Sequence, residues 1–300
     1  MRQRAVVLLN RSSRGGDEAA VARIAELLRG GPLDGSPLEA VPGHRLAAAA
    51  AQAVASGCSL LIAAGGDGTV STVASVAASH GVVLGVLALG TLNHFARDAG
   101  IPPDLEAAVA ILTRGQVATI DVGEVNGRVF VNNSSIGVYP RLIWERQQQQ
   151  QQGRPKWTAF ALAGLRIWRE YRRITVTIEG RGYRRNVRTP FVFVGNNEYA
   201  IEGGRIDARS SLDRGRLQLC MAPGADRGRM ALIVLAAIAG RLGMVEGFES
   251  VPATELTIAA SSRRMGVSLD GELMILAPPL RYRIRPRALR VMVPTTEATR

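Results

Sequence analysis

Up to about residue 115 the chain alternates short aliphatic runs with segments of helical spacing, and that alternation admits few folds. "RAVVLLN", "SLLIAA" and "VVLGVLAL" are short and almost wholly apolar, so each reads as a strand buried on both faces. "DEAAVARIAELLRGG", "HRLAAAAAQAVASG", a stretch from about Val70 to His80 and "LEAAVAILTRG" carry apolar residues at helical intervals. Asp17 and Asp104 stand as N-caps and glycines as stops. Alternation of this kind implies a parallel sheet with helices on both faces. After Asp121 the pattern changes: "DVGEVNGRVFVNN" holds an Asn126-Gly127 hairpin signal, and "RITVTIEGRGYRRNVRTPFVFVGNN", "RLQLCMAP", "ELTIAAS", "MGVSLDGELMIL" and "LRYRIRPRALRVMVP" read as strands. Helical segments interrupt them at about 155–173 and 229–241. The expected organisation is an α/β domain over residues 1–122 and a β-rich sandwich over 123–300, whose last segment can return to the first domain.

Charge narrows the partners. The chain has 37 Lys and Arg against 25 Asp and Glu, a formal charge of +12, and a field of that sign attracts phosphates on nucleotides, nucleic acid or an anionic membrane. A solvated, arginine-rich surface explains the same numbers equally well. The apolar stretch at 5–9 is too short for a signal peptide, and the aliphatic run at 230–240 falls short of the roughly 20 residues that cross a bilayer. These features predict a cytoplasmic protein that at most binds a membrane surface. Cys58 and Cys220 each border an apolar run and read as buried, reduced residues. His44, His80 and His94 lie in separate segments without metal-ligand spacing, and "RQQQQQQGRP" at 146–155 reads as a surface loop.

The chemistry concentrates in "LLIAAGGDGTVSTVAS". A loop that leaves a parallel strand and opens a helix presents free N–H groups and the positive end of the helix dipole to an anion. Gly65, Gly66 and Gly68 let the backbone turn and approach a ligand, and Thr69 can cap the helix or bond a phosphate oxygen. Asp67 would repel a bare phosphate, so its presence points to a nucleotide bridged by Mg²⁺; an ordinary Asp-Gly turn is the other reading. The loop is neither a Walker sequence nor a GxGxxG fingerprint.

In order along the chain, "LLNRSSRGG", GGDGT, "LGTLNHFARDAGIP", "TIDVGEVNGRVFVNNSSIGV", "FVGNNEYAIEGGRIDARSSLDRGRLQL" and "VSLDGEL" resemble the diacylglycerol kinase catalytic-domain family of lipid kinases. GGDGT alone is shared with NAD kinases and phosphofructokinase-like enzymes; the ordered set is far more specific. The resemblance implies a Rossmann-like, NAD kinase/phosphofructokinase-like domain followed by a β-sandwich, and an enzyme that uses ATP and Mg²⁺ to phosphorylate a hydroxyl of diacylglycerol or a related lipid alcohol. It implies nucleotide contacts at Asn10, Gly65, Gly66, Asp67, Gly68, Thr69, Thr91 and Asn93, and metal contact at Asp67 with Asp121. Asp270 would be the general base, with Glu272 beside it; read from the residues alone, "LDGEL" is equally an Asp-Gly hairpin.

At three places the chain departs from the family pattern. Ser71-Thr72 replaces an Asn-Glu pair, His94 replaces an aspartate, and Arg214 stands where an Asp-Gly step often supplies an accessory Mg²⁺ site, which is therefore expected to be absent. In "PKWTAFALAGLRIWREYRR", Trp157, Phe160, Leu165, Trp168 and Tyr171 share a helical face among Lys156, Arg166, Arg169, Arg172 and Arg173. That pattern suits either a core helix or a helix lying on the anionic inner face of the membrane. A homodimer is compatible with the sequence, and no nucleic-acid partner is expected. The competing functions are a NAD kinase-like small-molecule kinase and a non-catalytic basic protein that binds membrane or nucleic acid.

Overall fold

The computed structural model of the chain describes residues 4–11, 16–138, 140, 171–202, 205–209, 211–238 and 245–295. The glutamine run and most of the aromatic, basic segment before Tyr171 lie outside the described residues. The chain divides into two compact units, one formed by Met1–Val122 with Arg285–Arg300, the other by Gly123–Ile284.

In the first unit β1 (Ala5–Asn10) pairs in parallel with β2 (Leu38–Val41) and with β3 (Leu60–Gly65), and β3 pairs in parallel with β4 (Val83–Ala88). Every residue of β3 and β4 is buried, as two covered faces require. The far end of β18 (Leu280–Val293) extends this sheet in parallel, with Arg290 opposite Val83. Helices α1 (Glu18–Leu28) and α5 (Leu105–Arg114) begin at Asp17 and Asp104, whose carboxylates accept from Ala20 N at 2.9 Å and Ala107 N at 2.8 Å. Between them lie α2 (Leu46–Ala55), α3 (Asp67–His80) and the short α4 (His94–Asp98). Helix α3 starts three residues before the expected Val70, because Gly66 takes the N-cap and Asp67 enters the first turn, where the helix dipole favours an acid.

The second unit is antiparallel. Six strands run in the order β14 (Glu249–Ala253), β13 (Leu217–Met221), β10 (Phe191–Asn196), β7 (Asn133–Gly137), β16 (Met265–Leu269), β17 (Glu272–Leu276). Another layer joins the near end of β18 to β15 (Glu255–Ala259), β8 (Ile174–Gly180) and β9 (Tyr183–Thr189). Ile136, Val192, Leu217, Val176, Ile258 and Leu280, drawn from both layers, meet in one buried core, which makes the unit a β-sandwich. Asn126-Gly127 does close a hairpin, between β5 (Gln116–Val125) and β6 (Arg128–Phe130). A separate two-stranded sheet pairs β11 (Tyr199–Glu202) with β12 (Arg205–Arg209), and helix α6 (Arg227–Ile238) follows β13. Strands β2 and β14 were not anticipated; both are sheet edges, β2 mostly part-exposed and β14 mostly exposed, and β14 carries Pro252 where a missing N–H costs least.

Cys58 and Cys220 are buried and unpaired, and burial pushes both thiols up, Cys220 to about 11. Among the described residues no helix is long and apolar enough to cross a membrane.

Candidate active site

Three parallel strands of the first unit end at neighbouring polar groups. Asn10, the last residue of β1, donates through Nδ2 to Thr69 Oγ1 at 3.1 Å. Thr69 is 3% exposed and sits in the first turn of α3 rather than at its cap. Its side chain fills the space where a Cβ on Gly65 would stand, 2.5 Å from Oγ1, so the strand must end in glycine there. Leu89 N donates to Gly65 O at 3.0 Å and brings the next loop against the first. A Cβ on Gly90 would lie 2.6 Å from Gly66 Cα and 2.6 Å from Asn93 Oδ1, so the two glycine loops touch backbone to backbone. Asn93, left-handed at φ 47°, donates to Gly90 O at 2.9 Å and shapes this second loop. Thr91 and Leu92 remain exposed on it.

Asp67 is part-exposed, and its Oδ1 accepts from Phe95 N only at a long 3.4 Å. Gly66, the N-cap of α3, has no side chain with which to cap it, and the helix starts where β3 ends. Backbone donors, one accessible carboxylate and closely apposed glycine loops are together the kind of arrangement that can take an anion accompanied by a cation. Among the described residues no three His, Cys, Asp or Glu side chains gather into a metal site. A divalent ion would therefore have to share its ligands with phosphate oxygens, the usual habit of Mg²⁺.

The departures from the family pattern acquire a local account. Thr72 Oγ1 donates to Gly68 O at 2.8 Å, within α3. His94 is exposed, and Arg97 donates to its Nδ1 at 3.3 Å. Asp121, expected beside Asp67 at the metal, is 1% exposed, and its Oδ1 accepts from Arg287 N at 2.9 Å, where Arg287 has φ 52°. That contact gives Asp121 the task of holding an irregular point in β18. Arg214 N donates to Asn197 Oδ1 at 3.1 Å, and Asp213 accepts from Ser211 Oγ.

In the second unit Asp270 and Gly271, at φ 47° and 86°, form the two-residue turn between β16 and β17, with Leu269 opposite Glu272. The hairpin reading is correct, and it is not the whole account. Asp270 is 8% exposed; Oδ1 accepts from Asn132 N and Asn133 N, and Oδ2 from Val131 N, each at 2.8 Å. One carboxylate thus gathers three consecutive backbone donors, while Asp270 N donates to Asn133 O at 2.8 Å. Behind this nest Arg209, 5% exposed, donates through Nη1 to Val131 O and through Nη2 to Asn132 Oδ1 at 2.9 Å. Asn196 Nδ2 also donates to Val131 O, at 2.9 Å. Sequence reasoning missed the supporting group of Asn132, Asn196 and Arg209. Its signal was the polar residues of "VNNSS" and "GNN" set inside apolar strands, since buried polar groups need partners. Glu272 is exposed overall, yet its carboxyl is held above the ordinary range, first by local burial and then by the charge of Asp270.

Residues 4–125 match the diacylglycerol kinase catalytic domain, and residues 142–293 match the YegS C-terminal NAD kinase beta sandwich-like domain. The protein named "Probable lipid kinase YegS-like" in Pseudomonas fluorescens is 31% identical over 245 residues, covering 81% of this chain and 80% of its own. Its namesake in Klebsiella pneumoniae is 27% identical over 236 residues, covering 78% and 77%. Among solved structures, a diacylglycerol kinase from Bacillus anthracis str. Sterne superposes with a TM-score of 0.68 at 19% identity over 97% of each chain. Yeast NADH kinase in complex with NADH gives 0.59 at 13% identity over 99% of this chain and 85% of its own. At those identities the solved structures speak for the fold alone.

Proposed function

This chain belongs to the YegS-like family of lipid kinases built on a diacylglycerol kinase catalytic domain, and we propose that it transfers the terminal phosphoryl group of ATP to a hydroxyl of diacylglycerol or a related lipid alcohol. The observation that carries this reading is the apposition of the two glycine loops, 65–69 and 90–93, beside the open carboxylate of Asp67 at the uncapped start of α3. Phosphoryl transfer asks a protein mainly for positioning and for electrostatic complementarity to a charged transition state. The N–H groups of the first turn of α3 supply donors for phosphate oxygens, and Asn10 keeps Thr69 turned inward so that those donors stay in register. Asp67 is the residue to hold Mg²⁺ on the nucleotide. When bound, that ion would supply neutralisation of the phosphate charge.

On the acceptor side the hydroxyl proton is assigned to the turn of Asp270 and Glu272. Three backbone N–H groups orient Asp270 before any substrate arrives, as a pre-organised group should be held. Glu272 adds a second carboxyl, held above its ordinary range by burial and then by the charge of Asp270. The basic surface favours work at an anionic membrane.

The test is a panel of lipid alcohols in mixed micelles with labelled ATP, run beside Asp67→Asn. Labelled phospholipid from the wild type, and none from a folded Asp67→Asn protein, supports the assignment. Phosphorylation of NAD with every lipid untouched overturns it in favour of a NAD kinase-like enzyme.

A further inference from the structure

Three separate segments of the second unit send arginines to one place. Arg172 and Arg173 precede β8, Arg188 lies near the end of β9, and Arg227 opens α6; with Tyr171 and Asp226 they wall a cavity of about 470 Å³. The frame is built rather than accidental. Tyr171 Oη donates to Ala225 O at 2.6 Å, Arg173 Nη1 donates to Gly224 O at 3.2 Å, and Gly224 N donates to Arg188 O at 2.9 Å. These bonds tie the loop before α6 to the segment that leads into β8 and to β9. Among the lining residues Asp226 is the acid, and its Oδ1 accepts from Arg229 N at 2.8 Å and so caps α6. Among the described residues no carboxylate pairs with Arg172, Arg173 or Arg188, although other arginines of this unit, such as Arg185 with Glu249 and Arg283 with Glu124, do have acidic partners.

Like charges gathered around a cavity repel one another until an anion enters, and planar guanidiniums from several directions suit the tetrahedral oxygens of phosphate better than a flat carboxylate. We propose that this cavity is a binding site for a phosphate ester, either the headgroup of an anionic phospholipid or a soluble phosphate ester. The proposal rests on reading the chain as an enzyme of lipid surfaces, and its test is a binding measurement made without ATP, so its failure leaves the kinase assignment standing.

The variant is Arg172→Gln with Arg188→Gln; Arg173 stays because it holds the frame. The control is Arg263→Gln with Arg264→Gln, an equal loss of charge at exposed positions of the same unit. Unchanged thermal melting of both confirms folding. Each protein is sedimented with vesicles of phosphatidylcholine alone or mixed with phosphatidylglycerol, and titrated with glycerol 3-phosphate. The expected result is a loss of affinity for the anionic vesicles of about fivefold per arginine in the cavity variant, with a clearly smaller loss in the control. Loss of glycerol 3-phosphate binding alone, with vesicle binding intact, keeps the phosphate site and assigns it to a soluble ester. Equal losses in variant and control, or no loss in either assay, overturn the proposal in favour of a diffuse surface field.

Discussion

Two Asp-Gly steps, at Asp67-Gly68 and Asp270-Gly271, end in opposite arrangements. The first opens a helix, and its carboxylate keeps one long 3.4 Å contact and a part-exposed position. The second closes a hairpin, and its carboxylate is buried on three backbone donors at 2.8 Å. The dipeptide is the same, so its neighbours in the chain decide the outcome. Asp67 precedes a small-residue segment that winds into α3, whereas Asp270 sits between strands whose pairing demands a tight turn with two positive φ values. One acid stays part-open to solvent; the other is fixed by its own backbone.

The sharpest test of this contrast replaces each aspartate by alanine. Asp67→Ala should lower phosphoryl transfer by about 10³-fold with little change in the urea midpoint, because it removes an electrostatic partner and no buried bond. Asp270→Ala should lose activity too, but should also cost about 3 kcal/mol of stability, since two buried N–H groups and a part-buried one lose their acceptor. Equal destabilisation in urea melts would erase the distinction. Next in size, Arg209→Met leaves Val131 O and Asn132 Oδ1 without their charged donor and should cost about 2 kcal/mol in the same melts, together with activity. Gly90→Ala forces a Cβ toward Gly66 Cα and should cost about 1–2 kcal/mol, with a rise in the KM for ATP read by steady-state kinetics.

The smallest effect concerns Glu272. Its folded carboxyl holds a proton more tightly than an ordinary one, so the stability tied to this group is fully present below the ordinary carboxylate range and is lost as pH rises through the raised value. Glu272→Gln should therefore be slightly more stable than wild type at neutral pH and no more stable in acid, by urea melts at both. The acid limb of the activity profile should move toward lower pH in the variant, while a profile that does not move removes Glu272 from proton transfer.

Much of this was legible in the residues. The buried runs of β1, β3 and β4, the caps at Asp17 and Asp104 and the Asn126-Gly127 turn all arise from local chemistry, because each is decided within a few residues. The edge strands β2 and β14 were not legible: a strand bonded on one side and open to solvent on the other needs no apolar pattern. Nor was the nest around Asp270, whose partners lie more than a hundred positions away at Val131, Asn132 and Asn133 and are held by Arg209 from yet another strand. Singling out Asp67 and Asp270 needed only motifs, but seeing that they are held so differently needed the fold.

The first unit is discontinuous in sequence, and this bears on how the protein is born. Its sheet includes Arg290 and Val291 beside Val83 and Leu84, so a ribosome must deliver about two hundred further residues before that sheet has all its strands. The nascent α/β layer emerges with one margin unprotected, while the sandwich, contiguous from Gly123 to Ile284, has every one of its residues in hand first. Synthesis order thus runs against assembly order, and truncation after Ile284 should damage the half of the protein that was translated earliest.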